Sequence, residues 1–470
     1  MRPMLLLGGV VFLFGCVAKP PESMLVDITQ PVPESWSATK QAKSGVDANW
    51  VQRFGDAELS SMVEQALRGN YEMSIAAERL ERALEAARVA GALAKPQLSL
   101  SSNADRRKTR FVGFPFGGSN ISESYGVDLN VDWELDIWGR ARAEKSAALA
   151  DWQAGGQEYR AARASLAAQV CKAWFALAEA NQQVSLAKEA LGIRQQTEES
   201  VRDRYERDMR AEGGSASQVR LSQTDVATAK AGLAEKRSNQ AAARRQLELL
   251  VGRYPAASMQ GREKLAKMGP SPPAGLPSEL LLRRPDIIAA ERRYAATVKR
   301  IKEAKLAVFP SFKITGSAGT TTESLSDIIN SDFGVWAVGA SLLQPILTGG
   351  RVRSEIRVRD SRQREALSAL HQTVLNAFGE VEQALASEQW LQRREQEIRE
   401  ARDLARDAAQ AAEDDFREGN GDVLTLFAAQ TRKIQLESQY VSLRRLRLVN
   451  RVDLHLALGG GFELKQPTKN

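Results

Sequence analysis

The chain has 470 residues, a net charge of +7, two cysteines and two histidines. This excludes a disulfide framework, leaves little for a histidine-based metal centre or a Ser-His-Asp triad, and shows no nucleophile–base constellation that would mark an enzyme. The 65 Lys and Arg interleave with 58 Asp and Glu along helical stretches, which reads as solvated helix faces and argues against nucleic acid as a partner.

Met1-Arg2-Pro3 precedes an apolar run from Met4 to Phe14, then Gly15-Cys16. A charged start, a short apolar core and a small residue read as a secretory signal over 1–15. The run is too short to cross a bilayer as a helix. Leu13-Phe14-Gly15-Cys16 resembles a bacterial lipobox, although Phe14 is bulkier than usual at its position. That resemblance implies a lipid on Cys16, and Val17, not being Asp, implies sorting to the outer membrane. No cofactor is expected beyond this covalent lipid. Residues 16–48 carry Pro and Ser and read as an extended tether. The other cysteine, Cys171, falls in a helical run and is expected as a small buried residue.

The rest of the chain repeats itself. Gly139-Arg140 closes a strand-like run and opens a long helical one, and Gly350-Arg351 does the same 211 residues later. Tyr205 pairs with Phe416 at the same spacing, Pro96 with Pro310 at 214, and Gly252 with Gly459 at 207. A repeat this long means a duplicated unit. The units are 49–255 and 279–461, with a linker at 256–278 and a tail at 462–470. Each runs helix, strand, strand, long helix, helix.

In the first unit, strands are expected at about 97–107 and 123–136. Tyr125, Val127, Leu129, Val131, Trp133 and Leu135 alternate with Gly126, Asp128, Asn130, Asp132 and Glu134. One face is apolar and the other acidic. The length and the end-placed aromatics suit a transmembrane strand. The connection holding Arg106, Arg107, Lys108 and Arg110 is expected as an extracellular loop whose cations meet lipopolysaccharide phosphates. In the second unit, strands are expected at about 311–321 and 333–346, with an apolar face of Trp336, Val338, Ala340 and Leu342. Four strands cannot close a barrel, and lipid forbids open edges. Several chains must therefore pool them.

No proline falls between Gly139 and Pro255. Leu166, Val170, Ala173, Leu177, Ala180, Val184, Ala187 and Leu191 keep 4-3-4-3 spacing. Leu367, Leu370, Val374, Ala377, Val381, Ala384, Glu388 and Leu391 repeat it with one break at Glu388. Such heptads mean helix-on-helix coiled-coil packing. Helices of about 70 residues would each reach on the order of 100 Å. The tips carry Gly213, Gly214 and Gly419, which free the backbone to turn, and return helices are expected from about Ser217 to Val251 and from about Val423 to Leu458.

Leu276-Pro277-Ser278-Glu279-Leu280-Leu281-Leu282-Arg283-Arg284-Pro285-Asp286-Ile287, with Asp136-Ile137-Trp138-Gly139-Arg140 and Leu456-Ala457-Leu458-Gly459-Gly460-Gly461, resembles the outer-membrane efflux protein family. These are the TolC-like channels, here of the lipoprotein branch serving resistance-nodulation-division pumps. Asp286 is expected to cap the helix after the linker. The resemblance implies a mainly α chain with a transmembrane β part. Three chains would form a 12-stranded barrel in the outer membrane and a 12-helix periplasmic tunnel. It implies a passive duct for drugs, toxic compounds or ions, with a periplasmic adaptor and an inner-membrane pump as partners and the outer-membrane lipid around it. Selectivity would lie mostly in the pump, and no methionine cluster points to copper or silver. Gly213, Gly214 and Gly419 would meet the adaptor. Asp422, Leu424, Thr425 and Phe427 would form the periplasmic gate. Ala428 stands where many relatives carry an aspartate ring. The alternative is a non-transport periplasmic coiled-coil adaptor or envelope spacer lipoprotein.

Overall fold

The computed structural model describes residues 18–23, 32–38, 50–110, 118–209 and 215–460. Cys16, Gly213 and Gly214 lie outside them.

After a 3₁₀ turn at Trp50–Phe54 come α1 (Ala57–Gly69) and α2 (Tyr71–Ala92). Strands β1 (Gln97–Arg110) and β2 (Ser119–Leu135) lead into α3 (Arg140–Met209) and α4 (Ala216–Leu250). The short α5 (Pro277–Arg283) introduces α6 (Pro285–Leu306), β3 (Ser311–Thr322), β4 (Gly334–Leu343), α7 (Arg351–Glu418) and α8 (Val423–Ala457). The element order repeats, and so do the lengths. The helices before the strands have 22 residues each, the long helices 70 and 68, and the return helices 35 each. Gly139 and Gly350 adopt φ of +84° and +82° at equivalent places, just ahead of the long helices. No described helix is long and apolar enough to cross a membrane.

Two compact units are present, and each draws on both repeats. The first gathers Arg79–Gly155 and Ala289–Leu370, and holds the sheet. The second gathers Thr29–Glu78, Gly156–Ile288 and His371–Asn470.

In the first unit the strands form one antiparallel sheet in the order β1-β2-β3-β4. The register puts Leu100 opposite Leu129, Leu129 opposite Ala318 and Ala318 opposite Trp336. Because directly opposed residues share a face, one face collects Leu98, Leu100, Val127, Leu129, Val131, Trp133, Ile314, Trp336, Val338 and Leu342. The other collects Asp128, Asn130, Asp132, Glu134 and Lys313, with Lys313 bonded to Asp132 at 2.7 Å. Leu100, Trp336 and Val338 are 73%, 78% and 76% exposed. A row this apolar and this exposed needs a non-aqueous neighbour. From Tyr125 to Leu135, ten residue steps of about 3.4 Å tilted by about 45° give a band about 24 Å tall, the height of a barrel's lipid-facing belt. Trp133 donates its indole N–H to the Ala94 carbonyl at 3.1 Å, and Trp138 stacks on Phe309 at 5.1 Å, so aromatics collect at the strand ends nearest the helices.

The strands differ from the sequence expectation at their ends. β1 runs on past the expected end near Arg107 to Arg110, so the whole cationic run, Lys108 and Arg110 included, is strand and not loop. Their cross-strand partners on β2 continue the ladder to Ser119. β4 stops at Leu343, short of Pro345, which has no N–H to give a ladder.

The second unit's core gathers Trp50, Leu59, Val63, Leu166, Val170, Trp174, Phe175, Leu177, Leu247, Leu448 and Val452. Asp56 caps α1 by accepting from the Leu59 N–H at 3.1 Å, and it also takes the Trp174 indole at 3.0 Å. Cys171 is fully buried here, and burial pushes its thiol up. In the linker, Ala257 takes a left-handed φ of +58°. Glu248 holds that turn by accepting from the backbone N–H of Ala257, Ser258 and Met259 at 2.7, 2.7 and 2.9 Å. Burial alone would raise the Glu248 carboxyl, but these donors outweigh it and hold it low.

Asp286 is not the cap of α6. Pro285 takes the first helical position, where its missing N–H costs nothing. Asp286 sits one place later, receiving the Arg284 guanidinium at 2.6 and 3.0 Å. Arg284 also reaches Glu380 at 2.7 Å and the Ala457 carbonyl at 3.1 Å. The signature linker thus ties the start of α6 to α7 and to the end of α8.

Candidate gate at the helix tips

The candidate gate is built where α7 ends and α8 begins. Gly419 (φ +86°) lets α7 stop, and the N–H groups of Asn420 and Gly421 fold back to the Asp415 carbonyl at 3.0 and 2.9 Å. These bonds satisfy carbonyls a helix end would leave orphaned. A Cβ on Gly419 would meet open space, so its requirement is the backbone angle. A Cβ on Gly421 would approach the Phe416 nitrogen to 2.9 Å, so its requirement is room.

Asp422 is the N-cap of α8 and accepts from the Leu424 N–H at 3.1 Å. Val423, Leu426 and Phe427 turn inward and pack with Val201 of α3 and Phe416 of α7. Leu424 and Thr425 turn outward, Leu424 being 56% exposed. Phe427 is more buried than its neighbour Leu424. It is 7% exposed, with the Arg194 guanidinium 5.4 Å from its ring, and it packs into the tip's core while its edge reaches the groove beside Leu424. The helical step explains this, since positions 423, 426, 427 and 430 share the buried stripe and 424 and 428 the opposite one. Leu424, Phe427 and Ala428 line a shallow groove of about 410 Å³ with Leu221 and Asp225 of α4 and Thr431, Arg432 and Gln435 of α8.

Arg194 was not among the residues singled out in the sequence. It lies three residues after Leu191, on the same seam. It reaches Gln430 at 3.2 Å and Asp225 at 3.4 Å, and Gln430 in turn donates to Thr197 at 3.3 Å. Burial pulls the Arg194 guanidinium below its usual value, with Asp225 acting the other way. Arg204 lies 3.8 Å from the centre of the Phe416 ring, a second link between the two hairpins. The tips are thus joined by a few polar ties around a small apolar core.

Farther along α7, the break in its heptad seam is filled by charge. Glu388 accepts from Arg447 at 3.1 Å and from Arg451 at 2.6 Å, and Arg447 also pairs with Glu395. All four side chains are at most 12% exposed. Burial alone would raise the Glu388 carboxyl, but the two arginines outweigh it and hold it low.

A sheet with one exposed apolar face and a pair of long helical hairpins define an outer-membrane channel. A model of the family described as outer membrane efflux protein matches residues 62–253 and 276–460. The chain is 30% identical over 442 residues to outer membrane protein OprJ of Pseudomonas aeruginosa, covering 92% of this chain and 91% of that one. It is 26% identical to the probable outer membrane lipoprotein SilC of Salmonella typhimurium, covering 98% of each. The open-state structure of the Neisseria gonorrhoeae MtrE outer membrane channel superposes with a TM-score of 0.82 at 29% identity, covering 95% of this chain and 99% of that one. The chain belongs to the outer membrane efflux protein family and is an outer-membrane efflux channel, which sets aside the adaptor or spacer alternative.

Proposed function

We propose that three copies pool their strands into a 12-stranded barrel and their hairpins into a 12-helix tunnel, gated at the tips. The observation that carries this reading is the four-stranded sheet with β1 and β4 at its open edges. Lipid leaves no water to satisfy an edge, so each β1 must pair with the β4 of another copy. Energy comes from an inner-membrane resistance-nodulation-division pump through a periplasmic adaptor that meets Gly213, Gly214 and Gly419. The cargo class, whether drugs, solvents or ions, is set by that pump, and the duct itself does no chemistry.

In this reading Leu424 and Thr425 face the axis, where three apolar side chains exclude water by dewetting. Their outward turn and the lack of a carboxylate at Ala428 support it. Asp422 caps its helix and adds a carboxylate near the opening. Leu424→Ser is expected to raise single-channel conductance in planar bilayers. Unchanged conductance would move the constriction elsewhere.

Cys16 carries the lipid in this reading, which the printed description of SilC as a probable outer membrane lipoprotein supports. Acyl chains supply the tether's membrane affinity. Cys16→Ser is expected to abolish palmitate labelling and slow delivery to the outer membrane. Retained labelling would refute the assignment.

A further inference from the structure

The sheet register divides the basic run at the end of β1 between its two faces. Counting from Leu98 and Leu100 on the apolar face, every second residue brings Ala104, Arg106, Lys108 and Arg110 to that same face. Arg107 falls on the opposite, polar face with Asp105 and Thr109. Of the three cations on the apolar face, Arg106 stands opposite Glu123 and bonds to it at 3.0 Å. Lys108 stands opposite Ile121 and Arg110 opposite Ser119, so neither has an acidic residue directly opposite, and Glu123, one same-face pair along from Lys108, is bonded to Arg106. Ile121 is 51% exposed and extends the apolar surface beside Lys108. This end of the sheet is the one away from α2 and α3, which join β1 and β2 at Gln97 and Leu135. It lies beyond Tyr125, the last residue of the apolar band.

We propose that Lys108 and Arg110 bind the phosphate groups of the glycolipid that fills the outer leaflet around the barrel. Two cations directed outward, just past the apolar belt, meet headgroups and not water. An ammonium and a guanidinium both donate to phosphate oxygens, and the guanidinium does so in a bidentate manner. Their aliphatic stems lie along apolar surface while the charged ends reach the headgroup level. Arg106 is partly neutralised by Glu123 and contributes less. The site rests on the reading of this face as the lipid-facing one.

The test uses the full-length protein in vesicles holding either bis-phosphorylated lipid A or its dephosphorylated form, with bound lipid counted by native mass spectrometry after extraction. The wild-type protein is expected to retain the phosphorylated lipid preferentially. Each surface cation near anionic headgroups is worth about fivefold, so Lys108→Gln with Arg110→Gln is expected to lower that preference about 25-fold. Arg107→Gln, on the polar face, is expected to leave it unchanged. Undiminished preference in the double variant, or an equal loss in Arg107→Gln, would overturn the proposal. Flotation with the vesicles separates the two claims. A double variant that floats normally but loses the preference supports the phosphate site. A wild-type chain that fails to float would refute the lipid-facing assignment itself.

Discussion

Leu129→Arg is expected to cost roughly 2–4 kcal/mol per chain, the penalty for a cation on a barrel's lipid face near mid-depth. Leu129 lies in the middle of β2, flanked across the ladder by Leu100 and Ala318, with no carboxylate directly opposite to receive a guanidinium. Asn130→Arg, one residue on, points to the polar face beside Asp128 and Asp132. Losing its 2.8 Å bond to the exposed Ser101 hydroxyl is the main expense there. The yield of folded protein in outer membranes, read on unheated gels, should fall sharply for the first and little for the second. Equal losses would mean that β2 does not separate lipid from an aqueous lumen.

Glu388→Ala is expected to destabilise the helical unit by about 3–5 kcal/mol, the usual result of removing one partner from a buried ion network. The loss leaves Arg447 and Arg451 facing each other with a single remaining carboxylate, Glu395, bonded to Arg447. Glu388→Leu combined with Arg447→Met, Arg451→Leu and Glu395→Leu should recover most of that loss, because an apolar seam needs no pairing. The pH dependence has a definite sign. The Glu388 carboxyl is held low in the folded state, so its contribution is complete above the unfolded value near 4.3 and disappears as pH falls through the lower folded value. The melting temperature of wild type should therefore converge on that of Glu388→Gln as the solution is acidified below pH 4. A constant gap across that range would show that Glu388 is not ionised in the fold.

Much of the fold was legible because two periodicities are nearly unbroken. The alternation from Tyr125 to Leu135 fixes which side chains share a face, and the structure keeps that assignment across all four strands. The heptads place Leu166, Val170, Leu177 and Val184 in the helical core, together with Leu370, Val374, Ala377 and Val381. The glycine at the end of α7 was legible as a turn, since only a left-handed residue closes that helix. What was less legible depends on partners far away in sequence. Glu388 appeared only as a break in a pattern, yet its arginines lie about 60 residues on. Arg194 carries the same signal, a charge on an apolar seam, and the rule it suggests is to look for a buried ion partner at such positions. The burial of Phe427 follows from its helical phase with Val423 and Gln430, which its place in the motif does not reveal. The end of β1 was placed near Arg107, but pairing with β2 carries the strand on to Arg110.

In the trimeric reading, one chain supplies only part of a closed channel. Counting copies in the membrane-inserted protein, by native mass spectrometry from vesicles, tests it most directly. Three copies per particle are expected, with unheated gels showing a species that dissociates to single chains on heating. A stably inserted monomer would contradict it, because β1 and β4 would then present unpaired backbone to lipid.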